Sequence, residues 1–241
     1  MEGRDLVWFS CGITSAVAAK MVTDIIPSAE VLYCDTLKYE HPDNVRFIRD
    51  IENWIGRKIK ILKSDKYSDI YDVFEKTGYL VGPMGARCTT ELKKNVRKKY
   101  QNVDDTHYFG HSSEESGRIA KFKINNPDLK TRWILQENGF TKADCFRLLA
   151  QAGIRRPVMY DLGFSNNNCI GCVKGGMWYW NHVRKHFPDY FWKMARQERE
   201  MEVSILGQMV DGVWVPLYLD ELEPGRGRKP KNDYSDCGVL C

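Results

Sequence analysis

Short apolar runs alternate along the chain with longer stretches whose apolar residues recur every three or four positions. Leu6 to Phe9 is the first run; it breaks at Ser10, Cys11 and Gly12, and Ala16-Val17-Ala18-Ala19 restarts the pattern as an alanine-rich helix. Val31 to Cys34 predicts a buried strand ending at Asp35-Thr36. Residues 42–55 predict a helix with Val45, Ile48, Ile51, Trp54 and Ile55 as its apolar positions. Lys58 to Leu62 and Thr106 to Gly110 predict two further strands. Strands separated by helices imply right-handed crossovers and a mainly parallel sheet covered on both faces, a doubly wound α/β fold. Ligands of such sheets lie beyond the carboxyl ends of the strands. Ser10, Asp35, Thr36, Gly110 and His111 are therefore expected on one rim.

Towards the C-terminus, Thr141 to Asp144 reads as a capping box opening a helix to about Ala152, which Gly153 ends. Pro188-Asp189 starts an amphipathic helix to about Met201, and Asp211-Gly212 signals a hairpin. Residues 223–231, rich in Gly, Pro, Arg and Lys, are expected to form a mobile basic tail. The expected organisation is a main domain over residues 1–202, then a hairpin and cysteine-bearing tail over 203–241.

A chain of 241 residues, 43% hydrophobic, can bury a full core. No apolar stretch approaches the ~20 residues of a membrane span, and the first residues lack a secretory pattern, so a cytoplasmic protein without membrane contact is expected. In that reducing compartment the eight cysteines point to metal binding or redox chemistry rather than structural disulfides. A formal charge of +4 suits anionic small molecules at least as well as nucleic acid.

The segment from Phe9 to Ser15 places backbone N–H groups and hydroxyls between a strand and a helix, which suits a phosphate. Its spacing is neither that of a P-loop nor that of a dinucleotide fold. Cys169-x-x-Cys172 has the tight-turn spacing that lets two thiolates reach one metal, with Lys174 favouring the thiolates. Cys88 on its own reads as a small buried hydrophobe, while an all-thiolate site wants four donors, for which Cys237, Cys241 or an exogenous group are candidates, and zinc competes with iron–sulfur for it. Asp35 would serve a polyphosphate through Mg2+ or a ribose hydroxyl. Arg87, Lys93 and Arg118 are candidate anion clamps. Cys11, Cys34 and Cys145 are expected to pack. The aromatic residues Trp178, Tyr179, Trp180, Phe187, Tyr190, Phe191 and Trp192 are expected as core around the cysteine loop, with base stacking as the alternative.

Ser10-Cys11-Gly12-Ile13-Thr14-Ser15-Ala16-Val17 resembles the Ser-x-Gly-x-x-Ser-Ala-Val loop of phosphoadenosine phosphosulfate (PAPS) reductases, in the adenine nucleotide alpha-hydrolase (PP-loop) superfamily. Five further segments are similar to that family, one of them Ile154 to Gly163, containing Pro157 and Tyr160, followed by Cys169-Ile170-Gly171-Cys172, which matches the region leading into the iron–sulfur ligands of its cluster-containing members. Asp35-Thr36 with His41-Pro42-Asp43-Asn44 matches its second-strand segment, and Arg87-Cys88-Thr89 its paired-cysteine element with Thr89 for the second cysteine. Gly110 to Arg118 matches its Gly-x-Arg-x-x-Glu-Ser-x-x-Arg, with Ser112 at the Arg position. Asp236-Cys237-Gly238-Val239-Leu240-Cys241 matches its terminal Glu-Cys-Gly-Leu-His, with Cys241 for His. The resemblance implies nucleotide contacts from Ser10, Cys11, Gly12, Ser15, Asp35, Thr36, Lys93, Gly110, Glu115 and Arg118. It implies a four-iron cluster on Cys88, Cys169, Cys172 and Cys241, and reduction of adenylyl sulfate to sulfite by Cys237 with Cys241, renewed by a thioredoxin-like thiol donor. Two other readings compete. ATP-dependent sulfurtransferases that thiolate tRNA or DNA carry Ser-Gly-Gly-x-Asp-Ser, and this chain has Thr14 where their Asp stands; an iron–sulfur nucleotide sensor would have no turnover. Oligomeric state is not indicated.

Overall fold

The computed structural model describes residues 3–82 and 85–229. Five parallel strands form one sheet: β1 (Asp5–Phe9), β2 (Glu30–Cys34), β3 (Lys60–Leu62), β4 (Thr106–Phe109) and β5 (Lys130–Arg132), in the order β3-β2-β1-β4-β5. Central β1 pairs Val7 with Val31 and with Tyr108. Its period-two alternation divides the core. Val7 and Phe9 join Val31, Tyr33 and Phe47 on one face, while Leu6 and Trp8 join Leu32, Phe109, Phe122 and Trp133 on the other. The helices are α1 (Ile13–Ile25), α2 (Asn44–Ile55), α3 (Ile70–Thr77), α4 (residues 87–100), α5 (Ser116–Asn125), α6 (Ile134–Glu137), α7 (Lys142–Gln151), α8 (Val158–Asp161), α9 (Met177–His186) and α10 (Pro188–Met201). The fold is a doubly wound, parallel α/β domain, as the strand–helix alternation implies. Among the described residues no helix is long and apolar enough to cross a membrane.

Three local differences from the sequence reading have physical causes. Helix α1 begins at Ile13, ahead of the alanine run, because Gly12 supplies an extended N-cap. Its small side chains Ala16, Ala18 and Ala19 are fully buried, letting the helix lie close on the sheet. Strand β5 has no apolar run to announce it, since Lys130-Thr131-Arg132 is an edge strand with two exposed residues. Val45 faces solvent at 53% exposure, while Phe47 takes the core position on α2.

A third apolar cluster lies beside the sheet. Phe74, Leu80, Met159, Phe164, Ile170, Val173, Trp180, Phe191 and Met194 meet Leu206, Leu217, Leu219 and Leu222 there. The hairpin of β6 (Leu206–Val210) and β7 (Val213–Leu217), turning at Asp211 and Gly212 with positive φ, thus shares a core with α9 and α10. The stretch expected as a mobile tail is tethered as far as it is described. Arg184 donates to the Leu219 and Leu222 carbonyls, Asn181 to those of Glu223 and Arg226, and Lys229 to that of Gly163. A Cβ on Gly227 would lie 2.4 Å from the Trp178 nitrogen, so only glycine fits that close approach.

Glu198 fixes the hairpin to α10. Its fully buried carboxylate accepts the N–H groups of Ile205 at 2.5 Å and Leu219 at 2.7 Å, and burial raises its pKa from 4.5 to about 7. With the folded value above the ordinary one, the stability it contributes is full below about pH 4.5 and is lost as pH rises through about 7. Glu198→Gln, whose amide can accept only one of the two N–H groups, should lower the melting temperature by several degrees at pH 5. It should also flatten the fall that wild type shows between pH 5 and pH 8. Parallel melting curves would refute this assignment.

Candidate functional site

The site is built on the break between β1 and α1, which is only three residues long, Ser10 to Gly12. Cys11 takes φ +60°, a left-handed conformation that a residue with a side chain rarely adopts. Ser15 staples the turn: its Oγ accepts from the Ser10 N–H at 3.0 Å and from Ser10 Oγ at 3.1 Å, and donates to the Gly12 carbonyl at 2.9 Å. The first N–H groups of α1 have no partner within the helix, and the helix dipole makes this end electropositive. Gly12 has an ordinary φ of −94°. A Cβ there would meet only Ser10 Oγ at 3.7 Å, Tyr160 Oη at 3.8 Å and Ser15 Oγ at 4.0 Å. Three hydroxyls thus surround an open space above the start of the helix. Tyr160 was not among the sequence-derived site residues; a phenol on a short helix distant in sequence gives no local signal. Gly110 is glycine for a different reason, because a Cβ would stand 2.4 Å from Ser15 Cα.

The carboxyl end of β2 forms the adjoining rim. Asp35 is half-buried, caps the Leu37 N–H at 3.2 Å and pairs with Lys63 at 3.5 Å. It lines a cavity of about 300 Å³ with Thr36, Lys38, Asp69 and Leu92. Thr36 turns inward and donates to Glu40 Oε1 at 2.5 Å. Lys93 is buried on the π-helical stretch Thr90–Lys94 of α4, a distortion often found at functional sites. Its positive charge acts on both Cys11 and Cys34. Burial nevertheless raises the Cys34 thiol to about 12, and burial with Glu40 and Asp43 holds Cys11 well above the usual thiol range. Both stay protonated, so Cys11 can meet a ligand only through its backbone.

The cysteine loop reaches this cradle from below. Asn167 Nδ2 donates to the Cys11 carbonyl at 2.7 Å and to Asn44 Oδ1 at 2.8 Å. Two residues on, Cys169 and Cys172 are buried in a turn closed by the Tyr179 hydroxyl, which accepts from the Cys172 N–H and donates to the Cys169 carbonyl, both at 2.9 Å. Burial pushes that phenol well above its ordinary pKa, so it remains a donor. Gly171 at φ +79° completes the turn against Trp180. The surrounding aromatic residues act as core here, with Trp180 and Phe191 fully buried, although Trp192 is 47% exposed.

Other expected residues are engaged differently. Glu115 completes a capping box with Ser112 and pairs with Arg118 at 2.6 Å, so these two charges face each other. His111 is buried and held neutral, its pKa lowered to about 3 by desolvation and Arg118. Arg87 pairs with Glu91 at 2.8 Å. Cys88 packs on the apolar cluster that also holds Ile170 and Val173. Among the described residues no three His, Cys, Asp or Glu side chains form a metal-binding group. The described donors alone therefore do not fit a four-thiolate site; Cys237 and Cys241 lie outside the described residues.

No protein-family model matches the chain, and no curated protein sequence matches it. Among solved structures, a phosphoadenylyl-sulfate (PAPS) reductase from Candida auris, in complex with phosphate, is similar. It is 14% identical, the match covers 68% of this chain and 80% of that one, and the TM-score is 0.47. So distant a likeness transfers neither an activity nor a residue role.

If the open space above Gly12 holds phosphate, Gly12→Val should weaken binding of adenosine 5′-phosphosulfate or ATP at least ~10-fold, about 1.4 kcal/mol. The fold should survive, because the new Cβ meets nothing closer than 3.7 Å. Calorimetry showing unchanged affinity in a variant with a native circular dichroism spectrum would place the nucleotide elsewhere.

Proposed function

We propose that the cradle binds the phosphate of an adenylyl sulfate and that the chain reduces this nucleotide to sulfite through a cysteine thiolate. The observation that carries the reading is the three-residue break at the carboxyl end of the central strand. There, helix N–H groups and three hydroxyls bound one space, and the cysteine loop is hydrogen-bonded beneath it. Lys93 and the α1 dipole balance the anion. Asp35 accepts a ribose hydroxyl.

In the proposed reaction the Cys237 thiolate attacks the sulfate sulfur, a sulfur–sulfur bond forms, and the sulfur–oxygen bond breaks to release AMP with the bonding pair. A second thiol, that of a thioredoxin-like donor or, where the cluster does not hold it, Cys241, then attacks the Cys237 sulfur. Sulfite leaves and a disulfide remains, so two thiols supply the two electrons; an external dithiol restores them. Lys229, whose Nζ donates to the Gly163 carbonyl, stands eight residues before Cys237, so the two Cα atoms can be at most about 29 Å apart. An iron–sulfur cluster on Cys88, Cys169, Cys172 and Cys241 is part of the proposal, and no step above runs through it.

Cys237→Ser should retain nucleotide binding and abolish sulfite release, and wild type treated with adenylyl sulfate should gain the mass of one sulfite on its C-terminal peptide. Sulfur transferred to tRNA or DNA with consumption of ATP would establish the sulfurtransferase reading instead, and tight binding without turnover the sensor. Anaerobically prepared protein should contain iron and sulfide and lose both on Cys169→Ser. Stoichiometric zinc without iron would remove the cluster from the proposal.

A further inference from the structure

The left-handed backbone at Cys11 is held from two sides by residues outside its own loop. Its carbonyl accepts from Asn167 Nδ2 at 2.7 Å, and its Sγ lies 3.8 Å from the Asn44 carbonyl. Asn44 is completely buried and acts as a hub. Its Oδ1 accepts the other Nδ2 hydrogen of Asn167 at 2.8 Å, and its own Nδ2 donates to Glu40 Oε2 at 2.6 Å. Thr36 donates to the second oxygen of Glu40, which therefore ends the chain of donors as a satisfied, buried carboxylate. The direction of these bonds fixes the Asn167 amide: turned over, it would present an oxygen to two acceptors.

We propose that Asn167 is a positioning residue that couples the Cys169–Cys172 turn to the phosphate cradle, by holding Cys11 in the conformation the cradle needs. A left-handed residue beside a helix start is what curls successive N–H groups around an anion. Such a conformation in a residue with a side chain persists only where its surroundings impose it. The Asn167 bond is one such imposition, and Asn167 is two residues from Cys169. A change in that turn, such as alkylation, oxidation or metal loading of its thiols, then alters affinity for the anion. By linkage, the anion tightens the turn by the same factor. This inference rests on the nucleotide reading of the cradle, though not on which reaction follows.

Amide hydrogen exchange on the full chain, with and without adenosine 5′-phosphosulfate or ATP, tests it alongside calorimetry. In wild type, nucleotide should slow exchange both in residues 10–16 and in residues 163–176. Asn167→Ala should bind roughly five-fold more weakly or worse. It should keep the slowing in 10–16 and lose it in 163–176. Should the alanine variant not fold, Asn167→Ser, whose shorter hydroxyl cannot span both acceptors, is read the same way. Adding Cys11→Gly in the Asn167→Ala background should recover affinity, because glycine adopts positive φ without strain, while leaving the distant protection lost. A purely structural role for Asn167 would show no such rescue. Protection of 163–176 that survives in the Asn167 variant, or is missing from a wild type that binds nucleotide, overturns the coupling alone. Failure of wild type to bind either nucleotide overturns the cradle reading and the coupling with it.

Discussion

The conformation of Cys11 is the constraint on which the rest of the site depends. A strand and a helix joined by only three residues need a sharp reversal, and here a residue with a side chain makes it, at about 1–2 kcal/mol relative to ordinary backbone. Glycine at this point would remove that penalty, but it would also lose the thiol that fills the junction between α1 and α2. The penalty is offset by bonds that converge on the turn from Ser15, Asn44 and Asn167. With Ser15 committed to stapling the loop and Ser10 Oγ donating to it, what the turn itself presents is the row of backbone N–H groups at the start of α1. Recognition therefore depends on backbone shape. The same turn requires glycine at position 110, just after β4, where any side chain would push Ser15 away.

The polar chain beneath the cradle makes this geometry specific. Buried amides and a buried carboxylate are tolerable only when their bonds are made; an orphaned buried partner costs about 1–3 kcal/mol, more when charged. Glu40 accepts from Thr36 and Asn44, and Asn44 from Asn167, so removing any one of these donors leaves an acceptor without that bond, while Asn167 Oδ1 itself is buried without a partner among the described residues. Three segments far apart in sequence, residues 36–44, the loop at 10–12 and the cysteine loop, are bound into one unit. The third apolar cluster supports the far side, since it packs Ile170 and Val173 against α9 and α10.

Much of this architecture was legible because it rests on local periodicity. The apolar runs located β1, β2 and β4; the capping box at Thr141 and the Asp211-Gly212 turn appeared where their chemistry required. The break after Phe9 was legible for the same reason, as a short turn between a strand and a helix. What escaped depends on tertiary partners. Nothing local says that Thr36 turns inward to Glu40, that Glu115 serves a cap and Arg118, or that Tyr160 roofs the cradle. Asn167 gives no local sign of its role, which depends on the Cys11 carbonyl 156 residues away. The tethering of residues 223–229 was also illegible, because Gly, Pro and basic residues signal flexibility only when no neighbouring helix supplies donors.

The charges that remain around the cradle bear on which nucleotide it suits. Arg118 and Arg87 face Glu115 and Glu91 at hydrogen-bond distance, and freeing either for a ligand would strand a half-buried or buried carboxylate. Lys93 acts electrostatically on Cys11, as do the acidic groups Glu40 and Asp43 and the basic group Arg46, and the α1 terminus adds its positive end. A triphosphate brought to such a rim needs a divalent cation to offset its charge against Asp35. A phosphosulfate carries less negative charge, and its sulfate end is a weaker hydrogen-bond acceptor than a terminal phosphate. If the loop binds a nucleotide as proposed, these charges demand less compensation for a phosphosulfate than for ATP.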